Sequence, residues 1–195
     1  MIFFCDGCHY RRLLLDTFSL NLRGFNTMGG KIIVGVMGPG ENASPDENVM
    51  AYDLGYAIAK NGWVLLTGGR SFGIMDAAMK GAREANGLTI GIIPDNNDHN
   101  ASENAQIRIV TGMGSGRNLI NVLSSNIVVV LGMAAGTASE VALAIKSNKK
   151  VILLNQDEIT IRFFKNIGTY RVMIAKSIEE VIHKIKDYLA VHQQV

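Results

Sequence analysis

Few residues in this 195-residue chain have side chains suited to chemistry, and the ones that stand out flank glycines. Arg70 follows Thr67-Gly68-Gly69, Arg117 follows Gly116, and Glu140 comes shortly after Gly136-Thr137. Asp76 and Arg83 lie further along the segment that begins at Gly73. Arg117 opens a predicted helix, an unfavourable place for a cation unless an anion is near. Glu140 has two readings. It is either a first-turn carboxylate available to a ligand, or the N3 member of a capping box Thr137-Ala138-Ser139-Glu140 with Thr137 as N-cap.

Other chemistry is largely excluded. His9, His99, His183 and His192 are scattered without ligand or triad spacing, so no metal site is expected. Cys5-Asp6-Gly7-Cys8-His9 matches the C-x-x-C-H spacing of covalent haem attachment. A zinc site would need a second ligand pair, and the chain has only these two cysteines. No export signal precedes Cys5, so the match is read as chance and haem is rejected.

The elements that must position Arg70, Arg117 and Glu140 alternate from residue 31 onward. Apolar β-rich runs are expected at 31–37, 63–67, 88–93, 107–110, 126–131, 151–154 and 170–175. Helices are expected at 44–60, 74–85, 116–124, 137–146 and 177–189, the first opened by Ser44-Pro45 with Glu47 completing a capping box. Asp157-Glu158 and Glu179-Glu180 read as solvated surface. The polar stretch Pro94–Ala105 is longer than a usual connection and reads as a candidate lid. Such alternation gives an α/β fold, a single doubly wound Rossmann-like domain with a mostly parallel sheet and helices on both faces.

In such sheets ligands bind beyond the carboxyl ends of the strands. Three predicted strands end there in glycine: Gly38 and Gly40, Gly68 and Gly69, and Gly132 running to Gly136. Each is followed by a helix, so helix N-termini converge and form an anion site suited to phosphate. Glycines after strands also make tight turns, and that bland reading stands beside the functional one. No Walker A loop is present, and the second strand ends in Thr67-Gly68 where a dinucleotide site needs an acid.

Composition narrows the class. The hydrophobic fraction is 48% and the net charge only +2, which excludes disorder and argues against a nucleic-acid partner. The longest apolar stretch, Ile127–Ala135, is far too short to span a membrane. Residues 1–30 read as an N-terminal extension without a targeting pattern, with Met28 as the expected true start; residues 31–195 form the ligand-binding domain. A cytoplasmic location is expected.

Taken together, Leu66-Thr67-Gly68-Gly69-Arg70, Gly73-Ile74-Met75-Asp76-Ala77-Ala78, Gly116-Arg117-Asn118 and Gly136-Thr137-Ala138-Ser139-Glu140 resemble the LOG-like (SLOG, "lysine decarboxylase-like") Rossmann superfamily. That superfamily includes phosphoribohydrolases, the DNA-processing protein A core and molybdenum cofactor carriers. Arg117 and Glu140 match the spacing of the hydrolases' Arg and Glu, while Gly132-Met133-Ala134 replaces their P-G-G and Asn118 their Lys.

The departures make the chain look closer to the molybdenum cofactor carrier branch. That resemblance implies a non-catalytic carrier of an anionic phosphorylated small molecule, molybdenum cofactor foremost. Gly69, Arg70, Gly73, Arg117 and Thr137 would then hold its phosphate and oxyanion groups, with Glu140 mainly a cap. It also implies a homodimer or homotetramer. The helix 74–85 offers Met75, Ala78 and Met79 either to such a partner or to its own sheet. The alternative is a phosphoribohydrolase releasing ribose 5-phosphate from a nucleoside monophosphate. There Glu140 would protonate the leaving base or polarise water, and Arg117 would stabilise charge beside the oxocarbenium centre.

Overall fold

Seven short apolar runs assemble, in a computed structural model, into one all-parallel sheet flanked by helices. The structure describes residues 30–192. The Cys5–His9 motif and the start at Met28 lie outside the described residues. The chain runs through β1 (Ile33–Met37), α1 (Pro45–Lys60) and β2 (Val64–Thr67). It continues through α2 (Gly73–Glu84), β3 (Thr89–Ile93) and β4 (Ile107–Val110). A 3-10 turn, Gly114–Arg117, leads into α3 (Asn118–Ser124) and β5 (Ile127–Leu131). The remainder is α4 (Ala135–Lys146), β6 (Lys150–Leu154), α5 (Glu158–Gly168), β7 (Val172–Ala175) and α6 (Ile178–His192).

Strand order is β4-β3-β2-β1-β5-β6-β7, so the chain winds outward from β1 in one direction and then from β5 in the other. Because both faces are covered, alternate residues of each central strand enter different cores. Val34, Val36, Ile127, Val129 and Leu131 pack with α1, α2 and α6. Met37, Val128 and Val130 pack with α3, α4 and α5. These strands therefore read as continuous apolar runs.

Several expectations need correction. Helix α5 is absent from the sequence reading: Asp157 is its N-cap, its carboxylate accepting from the backbone N–H groups of Ile159 and Thr160. Helix α4 begins at Ala135 with Ala134 as N-cap and no side-chain cap, so Thr137 and Glu140 do not form a capping box. The long loop after β3 is stapled down. Ser102 Oγ and Asn104 Nδ2 donate to Asp76 on α2 at 2.5 and 3.1 Å, and Ala101 bridges Arg70. A loop tied at its far end in this way is a wall of the crevice, and the lid reading falls. Met75, Ala78 and Met79 are buried within this chain's own core, against α1 and the sheet. The capping box at Ser44 and Glu47 is present as expected.

Candidate functional site

The winding reverses between β1 and β5, and the loops there diverge and leave a crevice at their carboxyl ends. An inner hollow of about 200 Å³ is lined by Gly38 and Gly40 after β1, Gly68 after β2, Arg117 and Asn118 at the head of α3, and Gly136, Thr137 and Glu140 on α4. An adjoining outer hollow of about 440 Å³ shares Gly40, Arg117, Asn118 and Gly136, and adds Arg70 and Phe72. Together they have the size of a small-molecule site. Of the residues expected at the site, Gly38, Gly40, Gly68, Arg70, Arg117, Gly136, Thr137 and Glu140 line these two adjoining hollows.

Gly69, Gly73 and Gly132 line neither hollow. Each has a positive φ, between +64° and +75°, and a Cβ on any of them would strike neighbouring protein atoms. Their glycine identity is explained by the turn alone. Gly136 is the opposite case: a Cβ there would meet nothing within 4 Å. Its missing side chain leaves open room at the mouth of the crevice.

Arg117 is the most unusual residue of the site. Only 9% of it is exposed, and its Nε has no hydrogen-bond partner among the described residues. Burial lowers its pKa from the ordinary value, with Glu140 acting in the opposite direction. A buried cation with an idle donor is costly unless an acceptor completes it. Helix α4 adds to the demand, since its first N–H groups lack intrahelical acceptors and no side chain caps them. Arg70 stands at the outer hollow, held by Asp95 at 3.3 Å and lying over the Phe72 ring.

Glu140 is 7% exposed and accepts from Asn121 Nδ2 at 2.7 Å. Burial pushes its pKa up to about 6, against the pull of that hydrogen bond and of the Arg117 charge. Asn121, fully buried, is missed by sequence reasoning, as is the task of Asn118, whose Nδ2 donates to Ser139 Oγ at 2.9 Å. A signal for both exists: Arg117, Asn118 and Asn121 fall at i, i+1 and i+4, and the i, i+3 and i, i+4 pairs share one helix face. Asp95 is the third omission, hidden in a run of loop acids and amides although one of its oxygens is buried without a partner among the described residues. Chemically, two guanidinium groups and an uncapped helix end face one space, an arrangement built for an anion with several oxygens.

Known proteins share this fold and much of this sequence. The molybdenum cofactor binding protein of the phototrophic bacterium Rippkaea orientalis is 53% identical, with a TM-score of 0.81 over 84% of this chain and 99% of that one. The molybdenum cofactor carrier protein MCP of Chlamydomonas reinhardtii is 47% identical, with a TM-score of 0.79 over 83% of this chain and 99% of that one. An uncharacterized protein of Archaeoglobus fulgidus is 41% identical over 62% of this chain and 78% of its own length. The SLOG cluster4 family model matches residues 31–182, and the chain belongs to that family.

Proposed function

We propose that this chain is a non-catalytic binding and carrier protein for an anionic phosphorylated small molecule, molybdenum cofactor above all. The observation that carries the reading is the buried Arg117, with its unpartnered Nε beside the uncapped start of α4. Arg117 and the first-turn amides of α4 would take the phosphate. The outer hollow, with Arg70 and Phe72, would take the remainder of the ligand. The Rippkaea and Chlamydomonas proteins, similar over almost their whole length, support molybdenum cofactor as cargo. We further propose that it acts as a homodimer or homotetramer in the cytoplasm. Among the described residues, no helix is long and apolar enough to cross a membrane.

One observation favours a second reading. Glu140 lies in the inner hollow with its pKa raised toward neutrality, as a general acid of a phosphoribohydrolase requires. Gly132-Met133-Ala134, where those enzymes carry glycines, speaks against it. The deciding experiment measures saturable binding of molybdenum cofactor by wild type and Arg117→Gln. Release of ribose 5-phosphate from nucleoside monophosphates is followed in parallel, with Glu140→Ala as control. Binding weakened by Arg117→Gln, with no release, establishes the carrier. Release abolished by Glu140→Ala establishes the hydrolase and sinks the carrier reading.

A further inference from the structure

Glu140 has no task in a carrier if it does not cap α4. The N-cap is Ala134, yet Glu140 is buried and lines the inner hollow. Asn121 Nδ2 donates to its Oε1 at 2.7 Å, and Oε2 has no hydrogen-bond partner among the described residues. Arg117 lines the same hollow but does not close on the carboxylate. The ion pairs among the described residues are Arg70–Asp95, Arg108–Asp98 and His183–Asp187. Two buried groups of opposite charge therefore face one space and leave a gap between them.

A carboxylate is an odd wall for a site that takes an anion. A phosphate drawn in by Arg117 and the first amides of α4 would meet an ionised Glu140 across a hollow of about 200 Å³. Like charges so close in a desolvated space cannot both persist. One proton resolves the conflict. Placed on Oε2 it turns a repelling oxygen into a donor, and an O–H···O⁻ contact is among the stronger hydrogen bonds. Oε1 still accepts from Asn121, whose full burial fixes the direction of the carboxyl group.

The surroundings make that proton available near neutral pH. Burial raises the pKa of Glu140 to about 6, and among the charged neighbours Arg117 is the one that pulls it down. Arg70 after β2 is paired with Asp95 after β3, and Glu41 after β1 lines the outer hollow. Glu47 on α1 accepts from the Ser44 N–H. Lys146 of α4 and Glu158, Arg162 and Lys165 of α5 are exposed to solvent.

We infer that Glu140 binds the ligand as a protonated acid, donating to the phosphate, so that loading the anion takes up one proton from solvent. The inference rests on the carrier reading and deepens it. The proton passes from water to Oε2 as the anion arrives and returns to water on release; no covalent bond to the ligand forms and nothing is oxidised or reduced.

The test is isothermal titration of the full chain with sulfate, which stays dianionic between pH 6 and 8, and separately with molybdenum cofactor. Two buffers of different ionisation enthalpy count the protons exchanged. A group with a pKa of about 6 is about half protonated at pH 6 and about 1% protonated at pH 8, so wild-type affinity for sulfate should be about 50-fold higher at pH 6. Glu140→Gln keeps a donor and loses the titration, and its affinity should be the same at both pH values, with no uptake. Glu140→Ala, without the donor, should bind about ten-fold more weakly than Glu140→Gln. Circular dichroism checks that both variants fold. Wild-type affinity that does not change with pH, or uptake that survives in Glu140→Gln, overturns the inference. So does sulfate binding that Arg117→Gln leaves intact, since the anion then sits elsewhere. Cofactor bound without proton uptake leaves the carrier standing while the inference falls. Failure of the cofactor and of sulfate to bind overturns both.

Discussion

Glycine does two different jobs in two regions of this molecule. At the seam between α1 and α2 it permits contact between backbones. A Cβ at Gly55 would run into the Ala78 carbonyl, and one at Gly81 into the Tyr52 carbonyl. At the crevice, Gly136 faces open space instead. The seam spends its small residues on packing, as Gly38, Gly40 and Gly68 of the crevice also do, whereas Gly136 keeps room for something that is not protein. The difference teaches that a glycine after a strand is not by itself a ligand contact; the neighbours that a Cβ would meet decide which job it does.

The largest effect expected from breaking this contrast is at the seam. Gly81→Ala should cost about 3 kcal/mol of stability in urea unfolding, because rigid backbone cannot yield to the new methyl group. A loss below about 1 kcal/mol, near the size of the helix-propensity gain from Gly to Ala, would show that the helices slide apart easily.

At the crevice the same measurement should behave differently. Arg117→Gln is expected to weaken molybdenum cofactor binding by about 30–100-fold, the worth of hydrogen bonds to a charged group. Stability should hold or rise, since a desolvated cation is removed. Unaltered affinity would mean that the buried guanidinium serves the fold alone.

Glu140 sharpens the comparison through pH. Its folded-state pKa of about 6 lies above the ordinary value of 4.5, so the folded protein holds the proton more tightly than the unfolded chain. Stability contributed by this group is full below pH 4.5 and is lost as the pH rises through about 6, by about 1–2 kcal/mol. Unfolding midpoints between pH 4.5 and 7 should therefore slope downward in wild type, with Glu140→Gln removing this component.

Smallest of all is Gly136→Ala. The site has room and the residue is helical, so stability should rise by about 0.5–1 kcal/mol. A several-fold loss of cofactor affinity in isothermal titration would show that the space belongs to the ligand.

Much of this arrangement is legible in the sequence. The strands announce themselves because both faces are buried, and the crevice follows because glycine-ended strands share one edge. What is hidden turns on small displacements or on direction. Thr137-Ala138-Ser139-Glu140 spells a capping box only if α4 starts after Thr137; it starts at Ala135, and the shift of one turn places Glu140 in the hollow. Helix α5 carries a proper N-cap in Asp157 and a regular apolar stripe, but the stripe faces outward. A search for helices by their core-facing side passes over it.

The strand order also sets when the site can exist. β1 has β2 on one side and β5 on the other, with Val34 opposite Ile127. One wall of the crevice therefore waits for a segment made some hundred residues later. At ordinary synthesis rates that delay is about 5–20 s, during which the glycine loop after β1 has no partner across the gap. Since so much of the sheet is joined by distant segments, folding should be slow beside that of a helical bundle of equal size. The crevice is complete only once the chain has been made as far as Glu140.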